Sequence, residues 1–247
     1  MRVLGVIPAR LGSTRLPNKP LQMLAGEPLI TRVIQRVQEH GLADELVVAT
    51  DSPMVAQVVE RSRVRALLSD RHHLTGTDRV AEVAARAEFA DFDAVVNVQG
   101  DEPFLAREAL AGSIEQVERG ADIGTAAAPL DAGLAGDPSR VKVVTDASGR
   151  ALYFSRAAIP HRRDPSEPAQ GVYWQHLGIY AFTREALRRW ARLDPSPAEL
   201  AERLEQLRAL HHGLTIGVVR LTEPVEPGVD TIDDLRRAEA HWHALQR

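Results

Sequence analysis

The chain has 247 residues, 44% hydrophobic and 26% charged, enough to bury a sizeable core and ordinary for a globular protein of about one large domain. It contains no cysteine, which excludes disulfides, thiolate metal sites, iron–sulfur clusters and a cysteine nucleophile. A net charge of −4 argues against recruiting nucleic acid by bulk charge, and no apolar run approaches the roughly 18 residues of a membrane span.

The opening MRVLGVIPAR reads as an immediate strand rather than a signal peptide, so the expected location is cytoplasmic. Residues 3–8 are a short apolar run suited to a buried strand. Residues 28–40 place Leu29, Ile30, Val33, Ile34 and Val37 at helical spacing, and Gly41 follows as a stop. A strand at 46–50 precedes a helix capped by Ser52, with Pro53 at its first position, running to about residue 63. Next come a strand at 64–68, an amphipathic helix at 77–90, a buried strand at 94–98, a helix at 107–120 and a strand at 123–129. This alternation predicts an α/β fold: a mostly parallel sheet with helices on both faces, ligands binding beyond the carboxyl ends of the strands.

The pattern changes after about residue 129. Segments 141–145, 151–154 and 177–182 are strand-like without intervening helices, which predicts a smaller antiparallel extension. Residues 162–171 (RRDPSEPAQG) read as a mobile polar loop. A helix at 197–210, a strand at 215–221 and a helix at 231–245 end the chain. We expect one domain over 1–247 with a distinct subregion at about 130–195, because seven of the eleven aromatic residues lie between Tyr153 and Trp190.

The common nucleotide signatures are missing: neither lysine follows a glycine, and no G-x-G occurs. The first strand instead leads into IPARLGSTRLPNKPL, with Arg10, Arg15 and Lys19 spaced by Gly12, Ser13 and two prolines. Three cations, free backbone N–H groups and a hydroxyl suit a triphosphate. Lys19 and Lys142 are the only lysines, so each position is a candidate for a compact point charge. In NVQGDEP, Gly100 turns the chain and Asp101 and Glu102 stand beyond a buried strand. Asp101 is either a turn acid or a magnesium ligand shared with phosphate oxygens. Asp230, before a Thr231–Asp234 cap, is an ordinary turn acid alone and a second magnesium ligand if paired with Asp101.

In LTGTDRV, Thr75 or Thr77 is a candidate helix cap, while Arg79 opposes the helix dipole so early in a helix. Arg156 and His176 flank strand-like segments, near Tyr180, and are candidates for an anionic sugar. Glu205 and Gln206 lie on a helix striped by Leu200, Leu204 and Leu207, with Glu205 either a ligand or solvated. The pairs His72–His73 and His211–His212 have no metal spacing and read as surface. No aromatic precedes Phe89, so the first third cannot grip a nucleobase by stacking.

Together the segments IPARLGSTRLPNKPL, ATD, TGTDR, NVQGDEP, VKVV, ALYFSRAAIP, HLGIYAF, LEQLRAL and GVDTIDDL resemble the 3-deoxy-manno-octulosonate cytidylyltransferases over nearly the whole chain, in family order. The resemblance implies a nucleotide-diphospho-sugar transferase fold and an enzyme that joins CTP and the sugar acid into a CMP-sugar and diphosphate, using Mg2+. It implies a triphosphate held by Arg10, Ser13, Arg15 and Lys19, magnesium held by Asp101 and Asp230, and catalysis resting on Lys19, Asp101 and Asp230. Pro8, Ala9 and Thr75 would read the cytosine edge. The sugar acid would meet Arg79, Gln99, Arg156, His176, Tyr180, Glu205 and Gln206. It further implies a cytosolic homodimer serving lipopolysaccharide synthesis, with the 130–195 subregion used for sugar binding and dimerisation, and neither nucleic acid nor membrane insertion.

The chain departs from the family pattern in having Asn18 where glycine is frequent, TGTDR for SGTER, and a short loop around 162–171. Two alternatives stand beside this reading: a related cytidylyltransferase for an amino-substituted sugar acid or a sialic acid, and a non-catalytic binding protein, against which the paired aspartates count.

Overall fold

The structure is a computed structural model describing residues 1–13, 15–69, 73, 75–164 and 171–245. Its contacts form two compact units, Met1–Ala106 with Val225–Arg247, and Arg107–Pro224. The compositional change at residue 129 therefore falls inside the second unit.

The first unit is built on β1 (Val3–Ala9), whose residues are buried except for half-buried Pro8. After it come a two-stranded hairpin of β2 (Met23–Leu24) and β3 (Glu27–Pro28), α1 (Leu29–His40), β4 (Glu45–Thr50), α2 (Pro53–Glu60), β5 (Arg65–Leu68), α3 (Gly76–Ala84) and β6 (Ala94–Asn97). β1 lies between β4 and β6, and β5 flanks β4, all parallel. The expected helical stripe of α1 is buried as Leu29, Ile30, Val33, Ile34 and Val37. Each such side chain contributes about 1.5–3 kcal/mol by leaving water.

The hairpin has no alternating pattern long enough to predict it. Its turn uses Ala25 (φ 50°) and Gly26 (φ 81°), the left-handed pair that matches strand twist. The helix expected at 77–90 ends at Ala84, and a short turn, Ala87–Phe89, follows. Phe89 and Phe92 are both buried with ring centroids 6.0 Å apart, so the chain bends to deliver two rings to the core.

The second unit runs through α4 (Arg107–Glu118), β7 (Ile123–Pro129), β8 (Lys142–Thr145), β9 (Ala151–Ser155), β10 (Trp174–Thr183), α5 (Arg184–Trp190), α6 (Pro197–Glu202), α7 (Gln206–His211) and β11 (Ile216–Arg220). β7 pairs antiparallel with β10 and parallel with β11. β8 joins β10 to β9, both antiparallel. The antiparallel extension is thus present. Of the expected proline-rich loop, residues 165–170 lie outside the described residues. α5 is not among the expected elements; its signal is Thr183, a cap accepting a hydrogen bond from the Ala186 N–H at 3.0 Å.

The helix expected at 197–210 is two helices. Arg203 turns left-handed at φ 55°, and the Glu202 carbonyl accepts from Arg156 Nε at 2.7 Å. That carbonyl would otherwise serve the next helical turn. Leu200 is correspondingly 54% exposed, while Leu204 and Leu207 are buried, so the three-leucine stripe does not form. The chain ends in α8 (Ile232–Leu245), which belongs to the first unit. Leu235 and Ala238 pack with Leu16, Leu24, Leu29 and Val229, fastening the basic loop to the last helix.

Candidate active site

The turn that carries Lys19 begins at Asn18, in the left-handed region at φ 52°. Glycine and asparagine are the residues that adopt this conformation with least strain, which explains why asparagine serves there. Lys19 Nζ donates to Asp101 Oδ2 and, at 2.9 Å, to Asp230 Oδ1. Arg15 Nη2 reaches the same Asp230 oxygen at 3.0 Å. Two carboxylates remote in sequence therefore face one ammonium. Backbone geometry enforces the meeting: the Val229 N–H donates to the Asp101 carbonyl at 2.8 Å. Gly100 lets this turn approach β1, because a Cβ there would sit 3.0 Å from the Pro8 carbonyl oxygen.

Burial pulls the Lys19 pKa down, but Asp101 and Asp230 outweigh it and hold it above the ordinary lysine value. Glu102 behaves differently from its neighbour. Burial, reinforced by the charges of Asp101 and Asp230 and opposed by Lys19, pushes its carboxyl up to about 8. The DEP motif groups the two acids, whereas the structure gives Asp101 the contact with Lys19 and makes Glu102 a largely neutral acid beside it.

The donor set fits magnesium in one particular way. Among the described residues no group of three or more His, Cys, Asp or Glu side chains is placed to hold a metal. Asp101 and Asp230 nevertheless converge on a common positive centre, Lys19 Nζ, as a stand-in cation. Magnesium is commonly held by one or two carboxylates, with water and substrate phosphates completing its shell.

The other residues predicted for the nucleotide are placed as follows. Arg10 is exposed, Pro8 half-buried and Ala9 buried. Ser13 Oγ accepts from the Leu16 N–H at 3.3 Å, and Thr75 Oγ1 accepts from the Asp78 N–H at 3.1 Å as the α3 cap. Gln99 is half-buried. Arg79 is 3% exposed. Its Nη2 donates to Asp51 Oδ2 at 2.8 Å, while its buried Nη1 has no partner among the described residues. A buried, unpaired guanidinium N–H is costly and suits an anionic ligand. Asp51, the last residue of the ATD segment, is the partner that the motif did not reveal. His73 is a correction: it is not a surface residue but bonds Ser69 and Glu82. His211 and His212 are exposed as expected, and His72 lies outside the described residues.

In the second unit, Arg156 spends its guanidinium on backbone. Nε donates to the Glu202 carbonyl at 2.7 Å and Nη1 to the Pro138 carbonyl at 2.9 Å. Lys142, wholly buried, donates to the carbonyls of Asp137 (3.0 Å), Arg140 (2.6 Å) and Arg156 (2.6 Å). Burial lowers its pKa, although Asp137 and Glu202 oppose the shift.

His176 is buried, and that burial lowers its pKa to about 3. Its Nε2 lies 3.1 Å from Thr125 Oγ1, and that hydroxyl donates to the Ile179 carbonyl at 2.7 Å. A hydroxyl has one proton, so whether Thr125 gives it to a carbonyl or to Nε2 sets the imidazole tautomer. Burial, with Glu205 adding, raises the Tyr180 phenol well above its usual value. Gln206 is buried at the start of α7.

Comparison with known proteins gives the family. The cytidylyltransferase family model matches residues 4–216. A 3-deoxy-manno-octulosonate cytidylyltransferase of Gemmatimonas aurantiaca is 54% identical over 99% of this chain and 96% of its own length. One from Methylococcus capsulatus is 49% identical over 96% and 95%. Among solved structures, CMP:2-keto-3-deoxy-manno-octonic acid synthetase complexed with CTP superposes with a TM-score of 0.91 at 35% identity, covering 99% of this chain and 100% of that one. A 4-diphosphocytidyl-2C-methyl-D-erythritol synthase from Anaerococcus prevotii shares the fold, at a TM-score of 0.62 and 14% identity over 100% of this chain and 99% of that one. This chain belongs to the 3-deoxy-manno-octulosonate cytidylyltransferase family of nucleotidyltransferases.

Proposed function

We propose that this protein transfers the cytidylyl group of CTP to 3-deoxy-manno-octulosonate, releasing diphosphate, with magnesium as cofactor. The observation that carries the reading is the meeting of Asp101 and Asp230 on one cation beside the basic loop. The sugar hydroxyl attacks the α-phosphorus, its proton passes to solvent, and the bond to the diphosphate breaks. Bound magnesium would neutralise phosphate charge. Asp101 and Asp230 would hold that cation. Lys19, Arg15 and Arg10 stabilise the charge that grows on the departing diphosphate, as pre-placed cations do most strongly in the transition state. Arg79, buried with its Nη1 without a partner among the described residues, offers a charged donor to the sugar acid. Without aromatic residues in the first third of the chain, the cytosine edge is read by the backbone near Pro8 and Ala9 and by the Thr75 segment.

We further place the enzyme in the cytoplasm as a homodimer feeding lipopolysaccharide synthesis. No helix among the described residues is long and apolar enough to cross a membrane. Leu152 and Tyr153 of β9 are both exposed, which offers a surface for a second copy.

Diphosphate release tests the reading. CTP with 3-deoxy-manno-octulosonate and Mg2+ is expected to give turnover at least 100-fold above UTP, ATP or GTP with the same sugar. Equal rates with UTP, or preference for an amino-substituted sugar acid or a sialic acid, overturn the substrate assignment.

A further inference from the structure

Lys19 occupies the oxygens that a divalent cation would need. Its Nζ takes Asp101 Oδ2 and Asp230 Oδ1 together, and Arg15 takes the Asp230 oxygen as well. Two carboxylates thus face two cations, and the centre is already neutral. A magnesium ion added alone would meet an ammonium at hydrogen-bond distance from both of its ligands. It would also lack a third acidic ligand among the described residues. A triphosphate removes both obstacles, because its oxygens complete the metal shell and its negative charge draws Lys19 and Arg15 away.

We propose that Lys19 and Arg15 are exchange cations, which hold Asp101 and Asp230 neutral and pass to the triphosphate when metal and nucleotide arrive, so that neither binds well without the other. This rests on the magnesium assignment above. It also accounts for lysine at this position in a chain that otherwise uses arginine almost throughout. An ammonium on a flexible stem is a compact point charge that a metal ion can replace at both carboxylates at once, whereas the exposed Arg15 has a single contact with Asp230 to give up. Such coupling is reciprocal: nucleotide tightens metal by the same factor as metal tightens nucleotide.

The test is Mn2+ binding to the purified full chain, followed by loss of the free Mn2+ paramagnetic resonance signal, without sugar acid so that nothing turns over. Wild type is expected to bind Mn2+ weakly alone. Lys19→Gln is expected to bind it at least ten-fold more tightly, and adding Asp101→Asn is expected to remove that gain. With CTP present, wild type gains at least ten-fold and Lys19→Gln much less. Lys19→Met serves as a second variant, with circular dichroism as the check on folding.

If both Lys19 variants bind Mn2+ no more tightly than wild type, while Asp101→Asn still weakens binding, the exchange role is wrong and the metal site stands. A gain that survives Asp101→Asn arises elsewhere and also overturns the exchange role. If Asp101→Asn changes nothing in any form, with or without CTP, the metal assignment falls and takes this inference with it.

Discussion

The two lysines of this protein stand in opposite electrostatic settings. Lys19 meets charges: two aspartates hold it, and its pKa rises. Lys142 meets dipoles: three backbone carbonyls surround it, and its pKa falls. A charge among charges can be traded for another ion, and its partners keep their value for ligands. A charge among carbonyls cannot be traded, because removing it leaves buried acceptors unpaired. The first setting suits chemistry, and the second suits shape. Lys142 and Arg156 together fix the 137–140 turn and the end of α6, so the second unit spends cations on its own backbone.

Four experiments test that contrast. The largest effect is expected at the carboxylates. Asp101→Asn and Asp230→Asn should each fold and lower turnover by about a thousand-fold or more. The double variant should be little worse than either single one, since groups acting as a unit are strongly non-additive. Additive losses measured by diphosphate release would separate the two into independent roles.

The second pits the lysines against each other. Lys142→Met should lower stability by about 3 kcal/mol, or roughly 6–12 °C in Tm, by leaving three carbonyls unsatisfied. Lys19→Met should shift Tm by less than about 4 °C yet slow turnover by about 100-fold or more. Equal Tm losses by calorimetry would erase the distinction drawn here.

The third concerns His176. Its folded pKa of about 3 lies below the ordinary value of 6.5, so between these values the unfolded chain binds the extra proton. Stability is therefore complete above pH 6.5 and is lost as pH falls towards 3. Lowering the pH from 6.5 to 5 should cost about 1.5–2 kcal/mol, and His176→Asn should remove that part of the slope in urea titrations. An unchanged slope would show that this imidazole already carries its proton in the fold.

The smallest effect is at Asn18. Asn18→Gly should change stability by less than about 1 kcal/mol and leave turnover within two-fold, since both residues accept φ near 52°. Asn18→Val should cost more than that and displace Lys19, visible as slower turnover. A harmless valine would mean that the turn does not position the lysine.

Much of the fold was legible beforehand. The helical stripe of α1, the buried run of β1 and the Ser52 and Thr231 caps are local patterns, and each forms where the residues direct it. Two of the failures share one cause. The helix at 197–210 reads as continuous, but Arg156, far away in sequence, claims the Glu202 carbonyl and the chain breaks at Arg203. Phe89 and Phe92 likewise end α3 early because the core needs their rings. The short hairpin at 23–28 offers too few residues for any period to show.

For the site, the basic loop nominated Lys19 and the acid after a turn glycine at a strand end nominated Asp101, whereas Asp230 alone read as an ordinary turn acid and took its metal role from the pairing with Asp101 that the family resemblance implies. The folded chain was needed to show that the two aspartates share one ammonium, that burial pushes the Glu102 carboxyl up, that Asp51 holds Arg79, and that burial lowers the His176 pKa. The physical reason is range. Propensity, capping and periodicity act over a few residues and are written in the chain. Burial and charge pairing act between residues that only the completed sheet brings together, and these set the protonation states and partners of the candidate site.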